Sequence, residues 1–130
     1  MAILNGVVDR IKISGEFKGC DFAAYADGSA LAIVDIEGAE AELLDLARYP
    51  ALSKVDMIVE AHDVYRPGIS KILSERFAAT HDVEVVYNKP NLFDFSTVMG
   101  PDYFVNPIDS VMIAWENRAG PTPWVILRHK

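Results

Sequence analysis

Apolar and polar positions come in blocks along this chain, and the blocks predict strands and helices in turn. Leu31-Ala32-Ile33-Val34 is an apolar run that reaches Ile36 around one carboxylate and breaks at Glu37-Gly38. A short apolar run bounded by a turn signal predicts a buried strand, here over 31–36. After Gly38, the residues Ala39, Leu43, Leu46 and Ala47 recur at helical spacing, and Pro50 stops that helix. Val55-Asp56-Met57-Ile58-Val59-Glu60-Ala61-His62-Asp63 repeats the apolar block and predicts a strand over 56–61. Pro67 opens a helix with an apolar face of Ile69, Ile72, Leu73 and Phe77, and a third strand is expected over 83–87.

The remaining segments read less sharply. Asn5-Gly6 looks like a helix stop, Arg10 to Ile13 alternates as a short strand, and Phe17 to Tyr25 is a polar-aromatic connection with a helical turn. Residues 88–105, with Pro90, Gly100 and Pro101, form a long loop, a length that more often covers a site than merely connects. Asn106-Pro107 starts a helix continued by Ile108, Val111, Met112 and Trp115, and Gly120-Pro121 ends it. A closing strand is expected over 124–128. Strand–helix alternation predicts one α/β domain over residues 1–130, an open, mostly parallel twisted sheet with helices on both faces.

Composition narrows the function classes. A chain of 130 residues with 51% apolar positions suits one domain with a core. Its 12 basic and 19 acidic residues give a net charge of −7, which repels phosphate backbones and argues against nucleic acid as a partner. The single cysteine, Cys20, excludes an internal disulfide and a multi-cysteine zinc site. No apolar stretch reaches membrane-spanning length and nothing resembles a signal peptide, so no membrane partner and a cytoplasmic location are expected.

The candidate chemistry lies where the first two strands end. Ligands of open α/β sheets bind outside the carboxyl ends of strands. Asp35 and Glu37 follow one such strand, and Glu60, His62 and Asp63 the other. Alternation points Glu60 and His62 to one side. A histidine beside carboxylates suits a general base. A cation would need convergent ligands such as Asp35, Glu60 and His62, and the pattern by itself assigns no metal. A structural polar network would use the same residues. Gly38 serves a tight turn or a close approach to a ligand. Glu40 suits a first helical turn, Trp115 a core, and His81 and His129 a solvated turn and tail. Glu116 and Arg118 suit a surface ion pair.

The segments Asp35-Ile36-Glu37-Gly38-Ala39-Glu40 and Glu60-Ala61-His62 together resemble the FkbM-type branch of S-adenosylmethionine-dependent methyltransferases. That family shows Asp-x-Glu-Gly-x-Glu after its fourth strand and Glu-x-His after its fifth. Asn5 to Ile11 looks like the end of its second helix and its third strand. Trp115-Glu116-Asn117-Arg118 through Pro123-Trp124 looks like its Glu-x-Arg and tryptophan-led last strand, a likeness that implies Glu116 and Arg118 at the border of the substrate pocket as the alternative to an ion pair. The resemblance implies the C-terminal half of a class I methyltransferase, a Rossmann-like fold, with strand 124–128 antiparallel between strands 56–61 and 83–87. It implies S-adenosylmethionine as cofactor, with Asp35 and Gly38 beside it. It implies catalytic roles for Asp35, Glu37, Glu60 and His62, and a small-molecule methyl acceptor. The acidic rim favours a neutral or cationic acceptor.

The family's glycine-rich turn and ribose-binding carboxylate have no counterpart here; Gly15 and Gly19 are separated by Glu-Phe-Lys. The chain alone is therefore expected to bind S-adenosylmethionine weakly and to be inactive. The apolar 31–36 strand would be left at an edge, which invites pairing. A homodimer or a complementing N-terminal half is expected to cover it, unless strand 10–13 does so internally. The alternative is a non-catalytic α/β binding or interaction module descended from that fold.

Overall fold

The computed structural model describes residues 3–87, 120 and 122–130. Four strands, β1 (Leu31–Val34), β2 (Asp56–Glu60), β3 (His81–Val86) and β4 (Trp124–His129), pair in the spatial order β1-β2-β4-β3. β1 and β2 are parallel, with Leu31 opposite Asp56 and Val34 opposite Val59. β4 runs antiparallel to both neighbours, placing Ile126 opposite Ile58 on one side and Glu84 on the other. Strands β1, β2 and β3 thus share one direction and β4 returns between the last two. The result is a four-stranded open mixed sheet. The expected reversed strand near 124–128 stands where it was placed, whereas a mostly parallel sheet is not found: that reversal leaves a single parallel pair.

Alternation along the strands builds the core. Met57, Val59, Val125 and Leu127 are fully buried, and Met57 pairs with Leu127 as Val59 pairs with Val125. Val34 extends that face. The cover comes from α1 (Glu40–Leu43), α2 (Ile69–Phe77) and short 3-10 turns at Gly19–Tyr25 and Pro50–Lys54. Ile69, Leu73 and Phe77 are spaced by four, so they form one stripe of α2, and all three are fully buried with Leu44 and Leu52. On the opposite face Leu31 and Ile33 are exposed. Among the described residues the helices share the single core, so helices on both faces are not seen. The helix expected from Asn106 lies outside the described residues. Among the described residues, no helix is long and apolar enough to cross a membrane.

Two helices are set by local hydrogen bonds. α2 starts after Gly68, a residue at φ +89°, and Asp63 caps it: its carboxylate accepts the Ser70 N–H at 2.9 Å and the Ser70 hydroxyl at 2.5 Å. α1 is shorter than the apolar spacing implies. Asp45 accepts the N–H groups of Ala47 and Arg48 at 3.0 and 3.2 Å. That local turn competes with continued helix. The carbonyls of Ala41 and Leu44 are taken by the Arg76 guanidinium of α2 at 2.6 and 2.7 Å. The expected strand 10–13 does not form: Val8–Arg10 is a 3-10 turn and Ile13 is almost wholly exposed. It therefore gives no cover to β1.

His81 and His129 are not the solvated residues that a turn and a tail imply, because β3 and β4 both extend to them and pair them in register. His81 is buried. Its Nε2–H donates to the Val55 carbonyl at 3.0 Å and its Nδ1 meets the Thr80 hydroxyl at 2.8 Å. Burial pulls this imidazole below the usual value of 6.5. The unfolded chain therefore takes up a proton at a higher pH than the folded one. Stability from this group is complete above about pH 6.5 and falls as the pH drops through that value. Urea unfolding midpoints are expected to decrease between about pH 7.5 and 5.5, with a smaller decrease in His81→Gln. Asp56 acts at lower pH. The His129 N–H and imidazole Nδ1 approach its carboxylate at 2.8 and 2.7 Å and hold it below 3.8. Its contribution is present above that value and is lost as the pH falls through the lowered one.

Candidate functional site

The parallel pairing of β1 and β2 brings their carboxyl ends side by side, so the residues after Val34 and after Glu60 meet. The chain leaves β1 through Asp35 and reverses at Glu37 and Gly38, which have φ values of +54° and +104°. Glycine is suited to the second position because such a φ is strained for a residue with a Cβ. Crowding is not the reason, since a Cβ there would lie 3.5 Å from that of Tyr65, an ordinary contact. Glu37 accepts its own left-handed backbone without that freedom, and the turn carries its carboxylate back over the end of β2.

After the turn, Glu40 opens α1 fully buried. Its Oε1 accepts the Gly38 N–H at 3.0 Å and lies 2.6 Å from His62 Nδ1. A carboxylate can only accept, so Nδ1 of His62 carries the hydrogen of that bond. The ring is thereby fixed with Nε2 turned towards Asp35 Oδ1 at 3.5 Å and Glu37 Oε2 at 3.4 Å. The imidazole side chain is 3% exposed, while those of Asp35 and Glu37 are 54% and 70% exposed. Tyr65 stacks on the imidazole with ring centres 5.7 Å apart. The site is thus a buried Glu40–His62 pair whose free imidazole nitrogen faces two solvent-reaching carboxylates.

Four of the sequence-predicted positions, Asp35, Glu37, Gly38 and His62, come together here. Glu60 does not join them. It is buried, stands opposite Trp124 in the sheet, and is outside the group of ligand atoms formed by Asp35, Glu37 and His62. The alternation that paired Glu60 with His62 fails because β2 ends at Glu60. Ala61 then donates to Pro123 O at 2.8 Å and Asp63 N–H turns back to Ala61 O. Asp63 is committed to α2. Glu40 is the functional residue whose role the sequence understated. Its signals are its place at the end of the Asp35-to-Glu40 segment and helical phase, since Glu40 lies four residues before buried Leu44. Trp115, Glu116 and Arg118 lie outside the described residues. A separate hollow beside β1, lined by Phe17, Phe22, Tyr25, Leu31 and Val55, is almost entirely apolar and offers no converging polar groups.

Chemically, the cluster can accept a proton at Nε2, donate one from it, or hold a cation between that nitrogen and the two carboxylates. The fold and site together define a mixed α/β protein with a carboxylate–histidine cluster at the carboxyl ends of its parallel strand pair. Comparison of the chain with protein-family models, with curated proteins and with solved structures finds no match.

Proposed function

We propose that this chain forms the C-terminal half of an S-adenosylmethionine-dependent methyltransferase domain of the FkbM type. The observation that carries the reading is the strand order β1-β2-β4-β3 with β4 reversed. The family resemblance of the two short motifs implies that arrangement, and Asp35, Glu37, Glu40 and His62 of those motifs meet at the ends of β1 and β2. Methyl transfer joins an acceptor's electron pair to the methyl carbon as the carbon–sulfur bond breaks, and an oxygen or nitrogen acceptor must lose its proton. His62 Nε2, held by Glu40 through Nδ1, is placed to accept that proton, with Asp35 and Glu37 orienting the acceptor. Asp35 and Gly38 border the cofactor in this reading. A cytoplasmic setting belongs to it, where the one thiol, Cys20, stays reduced.

Among the described residues β1 pairs on one side only, with β2. We take its other edge as the surface that a second copy, or a complementing half-domain, would cover. The test is a titration of the chain with S-adenosylmethionine followed by amide NMR shifts. Weak perturbation is expected, at about millimolar cofactor, confined to residues 35–40 and 62–65. Shifts elsewhere, or none at about 10 mM, would overturn the methyltransferase reading. Low-micromolar saturation would overturn the idea that a glycine-rich turn is needed. Light scattering with dilution on the same sample reads whether copies pair.

A further inference from the structure

We propose that Asp35, Glu37 and His62 form an open three-ligand site for a divalent first-row transition cation, with buried Glu40 locking the imidazole. The spacing is the first argument. The three ligand atoms lie within 4.8 Å of one another, and Nε2 stands 3.5 and 3.4 Å from the two carboxylate oxygens. Two donors each about 2.1 Å from a shared ion stand about 3.4 Å apart at a tetrahedral angle. No rearrangement of the turn is needed to reach that geometry for the two nitrogen–oxygen pairs.

The orientation of His62 is the second. Metal-binding histidines characteristically donate their other ring N–H to a carboxylate or carbonyl, which fixes the tautomer and leaves the far nitrogen free to ligate. Glu40 Oε1 is that acceptor, 2.6 Å from His62 Nδ1. A neutral ring then presents a lone pair towards two carboxylates. That arrangement of three acceptors is satisfied by a proton on Nε2 or by a cation between them.

A further observation bears on the choice by charge. Glu40 is fully buried, and its Oε2 has no hydrogen-bond partner among the described residues. A buried carboxylate needs compensating positive charge. The two arginines that reach α1 and its end are committed to other groups: Arg66 pairs with Glu42, and Arg76 binds the Ala41 and Leu44 carbonyls. One imidazolium would face three carboxylates. A divalent ion supplies the larger charge, from the side on which Asp35 and Glu37 are open to solvent.

The donor set indicates the class of ion. One imidazole nitrogen with two carboxylate oxygens suits Mn²⁺, Fe²⁺, Co²⁺ or Zn²⁺, whereas Mg²⁺ and Ca²⁺ prefer oxygen throughout. Three protein ligands leave positions for water or a substrate oxygen, and a bound ion lowers the pKa of such an oxygen. With the ion present, the acceptor would be activated by coordination instead of by the imidazole. That use rests on the methyltransferase reading. The ion site itself does not, because it is measured without cofactor.

The test is calorimetric titration of chelator-treated protein with Zn²⁺, Mn²⁺ and Mg²⁺, together with the visible absorption of Co²⁺. One equivalent of Zn²⁺ or Co²⁺ is expected to bind at least about 100-fold more tightly than Mg²⁺. Asp35→Asn and Glu37→Gln should each weaken Zn²⁺ by tenfold or more, and Glu40→Gln by about 10–100-fold. Glu75→Gln, an exposed acid on α2, should bind as the parent does. The first two variants alter exposed side chains, so their folding, checked by circular dichroism, is preserved. Absence of saturable Zn²⁺ binding at about 1 mM, or unchanged binding in Asp35→Asn/Glu37→Gln, would overturn the site. Several weak equivalents with Mg²⁺ equal to Zn²⁺ would do so too, since that is the behaviour of a diffuse acidic surface.

Discussion

Phe77→Ala is expected to destabilise the protein by about 3–5 kcal/mol, read as a lowered urea midpoint with an unchanged slope. Phe77 is fully buried at the last position of α2. It closes the stripe begun by Ile69 and Leu73, and its ring meets the His81 imidazole edge-on with centres 5.1 Å apart. Truncation removes the apolar contact and leaves a cavity that β3 cannot fill, because its register against β4 is set by six residue pairs. The change also exposes the histidine to water. The fall in stability below about pH 6.5 should therefore be shallower in Phe77→Ala than in the parent, since burial is what lowers that imidazole. Ile72→Ala, at a half-open position on the same helix, should cost about 1 kcal/mol or less. A similar loss at both positions would mean that the stripe on α2 is not the one holding the sheet.

The strands of the parallel pair were legible as consecutive apolar positions, Leu31 to Val34 and Met57 to Val59. The expected burial holds for Met57 and Val59 but not along β1, where Leu31 and Ile33 are exposed and only Val34 is buried. The Ile69, Leu73 and Phe77 spacing marks the helix that covers them. The reading failed where a polar side chain outcompetes periodicity. The apolar residues from Ala39 to Ala47 imply one longer helix, yet Asp45 binds the backbone two and three residues ahead and ends it. The strand ends were misplaced for a related reason. His81 and His129 have the composition of turn and tail, but the antiparallel ladder continues until they face each other. That pairing joins residues 48 apart in sequence, and no local pattern contains it.

The site was legible in its two exposed carboxylates and its buried imidazole. Carboxylates just past an apolar strand are conspicuous, so Asp35 and Glu37 stood out, and His62 stood out as a histidine just past the next strand. Glu60 looked equivalent to them because alternation was extended past the point where the chain turns away from the sheet. Glu40 looked ordinary because acidic residues favour first helical turns for their own reasons. Its burial follows from the left-handed turn at Glu37 and Gly38, which tips the start of α1 over the end of β2. That consequence is three-dimensional. It makes Glu40 the residue on which the geometry of His62 depends.

The dependence has a signed consequence in stability. His62→Ala should cost about 3–5 kcal/mol, because it leaves the Glu40 carboxylate buried beside an apolar stub. Adding Glu40→Gln to that variant should restore about 2 kcal/mol, although it is a second substitution in the same site. The amide carries no charge, still accepts the Gly38 N–H, and has nearly the same volume. In the parent background Glu40→Gln should instead destabilise, by about 1–2 kcal/mol, since it trades a charge-assisted bond to Nδ1–H for a neutral one. The same substitution is thus expected to change sign with the identity of residue 62. Urea unfolding of the four proteins measures this directly. Costs that simply add would show that the 2.6 Å contact does not couple the two residues. They would also remove the argument that a buried charge at Glu40 draws a proton or a cation to the other side of the imidazole.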